Sequence, residues 1–158
     1  MKSKRILYIL LTFLTTSIVS AKGGNEVATT KLTQYVARPG AVISMDEEMF
    51  VEKIYNEKDS PKEWKYLGDK PCIIDFYTTW CGPCKRLAPV LEQIAEKYDG
   101  IINIYRIDAE KELKISRKFG IRSYPSLLFI PMNGQPQMAI GALPKNDIEQ
   151  LIANILLK

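Results

Sequence analysis

The chain has 158 residues, of which 46% are hydrophobic and 25% charged, so it is long enough for one domain with a full core plus an additional segment, while composition alone names no function. Its formal net charge of +4 comes mainly from one end, because Lys2, Lys4 and Arg5 have no acidic counterpart before residue 22 and the remainder holds 19 basic against 18 acidic residues. That balance argues against nucleic-acid or membrane-surface binding as the source of the basicity.

In chain order, the three basic residues precede an uncharged run from Ile6 to Val19, and Val19-Ser20-Ala21 puts small residues where a signal peptidase reads. At 14 residues the run is too short to cross a bilayer comfortably as a helix. Residues 1–21 are therefore expected to be an export signal cleaved after Ala21, with a retained membrane anchor as the alternative. No Cys follows the run to accept a lipid. Export, to the periplasm before the extracellular medium, would let a disulfide persist.

Residues 22–43 mix Lys22-Gly23-Gly24-Asn25 with Thr, Ala and Pro and read as a leader, with a short strand near 34–36 or 41–43. Residues 44–158 are expected to form the folded domain. Ser44 followed by Glu47 is a capping box, and Met45, Met49, Val51, Ile54 and Tyr55 give a helix over 45–56 an apolar face. Ser60, Pro61 and Glu63, with Gly68 as a stop, predict a second short helix around Trp64. Cys72 to Tyr77 is almost continuously apolar, as in a strand covered on both faces, with Asp75 the exception. Leu87, Leu91, Ile94 and Tyr98 recur at helical spacing, and Pro89 is expected to kink that helix. Then come a strand over 101–107, a helix over 110–119 and a buried strand over 126–130. Asn133-Gly134 predicts a hairpin returning over 137–140. Ile148, Leu151, Ile152 and Ile155 mark a closing amphipathic helix. The pattern is that of an α/β domain with a mixed sheet flanked by helices.

The chemistry concentrates in Trp80-Cys81-Gly82-Pro83-Cys84, followed by Lys85, where the strand gives way to a helix. Both cysteines fall in the first helical turn or just before it, where unpaired N–H groups and the helix dipole favour a thiolate over a thiol. The second sulfur lies one turn on, close enough to close a small disulfide and expel whatever the first has captured. That is a dithiol switch. Zinc would need four ligands, and the chain has no His and one further Cys. A purely structural disulfide is the other alternative, but closing so small a loop removes little chain entropy.

From about residue 70 the chain resembles the thioredoxin family. The resemblance is carried by Asp75-Phe76-Tyr77, by the Trp80–Lys85 string, by Pro89, by Tyr124-Pro125 ending 41 residues beyond Cys84, and by Gly141-Ala142. It implies a thioredoxin fold, with a central mixed sheet and helices on both faces, and protein-disulfide reductase activity without a bound cofactor or metal. It implies that Cys81 attacks the substrate disulfide and Cys84 resolves the mixed disulfide. The Gly82-Pro83 pair goes with a reductase in this family, whereas His in that pair goes with oxidants and isomerases.

Asp75 corresponds to the family's buried acid, whose desolvation should raise its pKa into the range useful for proton transfer. Where the family usually has a lysine near that acid, alignment places Ile104. Arg106 lies two residues on, on the same strand face, and its role is left open. Pro125 corresponds to the family's cis-proline, which faces the cysteine pair. Tyr124 departs from the small or aliphatic residue expected before it, and is expected to form an apolar contact surface with Trp80, Ile140, Gly141 and Ala142. Cys72, on the strand face opposite Asp75, reads as a small buried core residue, with interchain pairing as the alternative. The stretch before Asp75 is longer than the family's equivalent.

The reading reached is an exported thiol:disulfide oxidoreductase, expected to be a monomer, acting on disulfides of protein substrates and recharged by a membrane-embedded electron donor. An exported oxidase or isomerase is one alternative. A reductase for cytochrome c maturation is another, which the uninterrupted interval before Pro125 argues against. A non-catalytic binding module using the apolar surface is the third.

Overall fold

The computed structural model describes residues 38–158. The export signal expected over 1–21, most of the leader and the strand considered near 34–36 lie outside the described residues.

Five strands form one sheet in the order β1-β3-β2-β4-β5: β1 Ile43–Ser44, β2 Cys72–Tyr77, β3 Asn103–Asp108, β4 Ser126–Ile130 and β5 Gln137–Ile140. β3 runs parallel to β1 and β2, whereas β4 is antiparallel to both β2 and β5. The helices are α1 Glu47–Lys53, α2 Gly82–Lys97, α3 Leu113–Lys118 and α4 Lys145–Leu151, the last continuing as a π-helical turn through Leu156. β2 and β4 are central and apolar on both faces, so the core divides in two. Cys72, Ile74 and Phe76 pack with Met49, Phe50 and Ile54 of the α1 region and with Ile115 of α3. Ile73, Leu127 and Phe129 pack on the other face with Leu87, Leu91 and Ile94 of α2 and with Ile148 and Ile152. Alternation along β2 thereby puts Cys72 on the face opposite Asp75.

Two sequence expectations are corrected. First, Ser44 does not cap α1, because its backbone belongs to β1, paired with β3. Asp46 caps instead, its carboxylate accepting from the Met49 N–H at 2.8 Å. Glu47 turns away to meet Lys114 at 2.8 Å. Second, the helix expected around Trp64 is absent. Leu67 N–H donates to the Ile54 carbonyl at 3.0 Å, drawing this segment back along the end of α1. Trp64 meanwhile stacks on Tyr55, with ring centroids 4.8 Å apart. Tertiary contacts thus override a local start signal built on Ser60 and Pro61. The hairpin expected at Asn133-Gly134 forms, with β5 returning antiparallel to β4 over Gln137–Ile140. The pairing ends at Phe129 and Gln137, and the connection spans Pro131 to Pro136, neither of which can donate to a ladder. Pro89 lies inside α2, removing one backbone donor without ending the helix.

Candidate active site

β2 ends at Tyr77 and the chain turns directly into α2, with the Cys81 N–H donating to the Thr78 carbonyl at 3.3 Å. Cys81 is the N-cap residue and Cys84 the third residue of the helix. Their sulfurs are joined in a disulfide with Cα atoms 5.3 Å apart. The Cys81 sulfur also accepts from the Cys84 N–H at 3.1 Å, as an N-cap oxygen would. Pro83 falls within the first turn, where its missing N–H has no helical acceptor to serve. No acidic residue occupies that turn, so the helix dipole there is uncompensated. When the disulfide opens, this end of α2 favours negative charge on Cys81. Cys81 is the more exposed of the two, at 4% against 1%, although both are largely covered in the oxidised form.

Asp75 is fully buried on the face of β2 that meets α2. In the strand register it stands opposite Arg106 of β3, whose Nε donates to its Oδ2 at 2.9 Å. Arg106 therefore supplies the charge partner that sequence alignment left in doubt, whereas Ile104 is buried opposite Ile73. The Arg106 guanidinium lies 4.0 Å from the centre of the Tyr77 ring. Burial raises the Asp75 pKa and Arg106 lowers it by charge and hydrogen bond; burial prevails, placing the acid at about 6. Its Oδ1 and the Thr78 hydroxyl are both buried without a hydrogen-bond partner.

The Tyr124–Pro125 peptide bond is cis, and the Pro125 carbonyl accepts from the Gly141 N–H at 2.8 Å. Gly141 has φ +98°, a conformation that side chains resist, so a glycine suits the point where β5 leaves the sheet. Trp80 meets Tyr124 edge to face, with centroids 6.1 Å apart, and its indole N–H donates to Glu110 at 3.0 Å. Ile140 stands opposite Ser126 in the β4–β5 pairing and is 66% exposed, and Ala142 is exposed beyond it. Of the surface expected from sequence, Trp80 and Tyr124 touch, and Gly141 is tied to Pro125.

The structure adds Tyr77, against Arg106, and Glu110, against Trp80, to the site. Tyr77 was detectable by strand alternation, being two residues beyond Asp75. Glu110 had no local signal, since it lies 30 residues from the indole it holds. Cys72 starts β2, at the end away from the disulfide, and is fully buried. Burial pushes its thiol up to about 12, which disfavours the thiolate, and Cys72 packs as a core residue.

A family model described as Thioredoxin matches residues 42–154. The chain is 46% identical over 110 residues to a thioredoxin of Borreliella burgdorferi, covering 70% of this chain and 93% of that one. It is 34% identical to an M-type chloroplastic thioredoxin of Spinacia oleracea, covering 67% of this chain and 59% of the other. Among solved structures, chloroplastic thioredoxin z superposes with a TM-score of 0.61 at 29% identity, over 73% of this chain and 94% of that one.

Proposed function

Because this chain belongs to the thioredoxin family, we propose that its Cys81–Cys84 pair reduces the disulfides of other proteins outside the cytoplasm. Disulfide exchange at that pair is the activity of the enzyme, a protein-disulfide reductase of the thioredoxin type. The observation that carries the reading is the disulfide at the uncompensated N-terminus of α2, with a buried acid near pKa 6 on the strand leading into it.

The reduced enzyme begins with a Cys81 thiolate, favoured by the first-turn N–H groups. Cys81 attacks one substrate sulfur, the substrate S–S bond breaks, and the departing sulfur leaves as a thiolate that takes a proton. Asp75, ionised above about pH 6, accepts the Cys84 proton. The Cys84 thiolate then attacks the Cys81 sulfur and displaces the second substrate thiolate. Two electrons pass to the substrate, which becomes a dithiol, and the enzyme becomes the disulfide described above. A dithiol donor outside the cytoplasm must restore it, and a membrane-embedded protein relaying cytoplasmic electrons fits that task. Export itself rests on the basic start, apolar run and small-residue end of residues 1–21. We read the working unit as a monomer.

The test is turbidimetric reduction of insulin by the purified protein with dithiothreitol as electron source, beside Cys81→Ser and Cys84→Ser. Strong acceleration by the wild type and none by either variant is expected. A folded wild-type protein that does not accelerate the reaction overturns the reading.

A further inference from the structure

Charge gathers around the disulfide that the exchange itself does not use. Lys85 and Arg86 are exposed on the outer side of α2, directly after Cys84. Arg86 folds back toward the disulfide loop, its Nη1 3.9 Å from where a Cβ on Gly82 would stand. Arg122 is exposed two residues before Tyr124. None of the three has an ion-pair partner among the described residues. Of the acids nearby, Asp108 is paired with Lys111 at 3.7 Å, whereas Glu110 accepts only from the neutral Trp80 indole at 3.0 Å and keeps its charge, one carboxylate against three cations. Exposed apolar side chains accompany these cations, Trp80 at 65% and Ile140 at 66%.

We propose that this face selects substrate disulfides set in a short apolar stretch with acidic side chains flanking it. The inference rests on the reductase reading and names the kind of protein segment that the site prefers. Trp80, Tyr124 and Ile140 take the apolar residues beside the reacting cysteine, while Lys85, Arg86 and Arg122 face the carboxylates. Exposed charges of this kind act mainly on encounter and orientation, so the preference appears in kcat/KM and is screened by salt.

The experiment uses two synthetic peptides, each closed by one disulfide and identical except for glutamates or lysines outside the apolar residues. The full chain, reduced beforehand, is mixed with each in a single turnover at low and at 0.5 M salt. Reduction of the acidic peptide is expected to be about tenfold faster at low salt, the ratio falling toward one at high salt. The ratio should shrink in an Arg86→Gln/Arg122→Gln double variant and reverse in an Arg86→Glu/Arg122→Glu variant. Equal rates for the two peptides in the wild type, or a ratio unchanged in both variants, overturn the proposal while leaving the reductase reading intact. Failure to reduce either peptide overturns that reading, and this inference with it.

Discussion

Asp75 illustrates how two opposed effects set one group's chemistry. Removing its carboxylate from water raises its pKa from 3.8 to about 6, and the adjacent Arg106 limits the rise without cancelling it. The folded state therefore binds this proton more tightly than the unfolded chain. No penalty is present below pH 3.8; it builds as the pH rises to about 6 and is complete above that. Asp75→Asn should accordingly stabilise the protein at pH 7.5 by on the order of 3 kcal/mol and have almost no effect near pH 3.5. Urea midpoints at the two pH values check this, and equal midpoints at pH 7.5 would contradict it. The same substitution should slow release of substrate from the mixed disulfide, because Cys84 loses its proton acceptor. In the wild type, that release should weaken as the pH falls through about 6. Arg106→Gln removes the group that lowers the Asp75 pKa, so this pH midpoint should move upward, as stopped-flow resolution of a preformed mixed disulfide would show.

At the scale of elements, the segment between α1 and β2 is held by contacts rather than by regular structure. Trp64 stacks on Tyr55 and meets Phe119 edge to face at 6.1 Å, while its indole nitrogen is buried without a partner. Trp64→Ala should cost about 2 kcal/mol, less than for a fully buried ring because this one is partly exposed. Trp64→Phe should cost less than that, since it keeps an aromatic surface and deletes an unpaired donor. Insulin reduction per folded molecule should change in neither variant, because this segment packs on the sheet face away from α2. Asp46→Ala removes the α1 cap and should cost about 1 kcal/mol. Ser44→Ala should cost much less, since Ser44 is exposed and its side chain caps nothing. Chemical denaturation of the two single variants separates these expectations.

For the molecule as a whole, the sheet keeps two cores apart and carries the reactive pair at the strand end between them. The proposal that residues 1–21 are an export signal predicts recovery of the protein outside the cytoplasm with Lys22 as its new N-terminus, and N-terminal sequencing of the fractionated protein checks it. Cys84→Ala should retain substrates on Cys81 as mixed disulfides that dithiothreitol releases, whereas the double variant lacking both sulfurs should retain none.

By itself the sequence determined where the chemistry lies and which elements carry it. The cysteine spacing, the buried acid and the bounds of β2, β4 and β5 are local properties, written in apolar runs and the residues that interrupt them. The tertiary structure alone decided that Arg106 answers Asp75, that Glu110 holds Trp80, that Asp46 rather than Ser44 caps α1, and that Trp64 sits in no helix. Each of these depends on strand register or on side chains distant in sequence meeting in space. Packing then overrides a helix signal in a way that no local pattern encodes, whereas the direction of the Asp75 shift is already legible in its apolar strand.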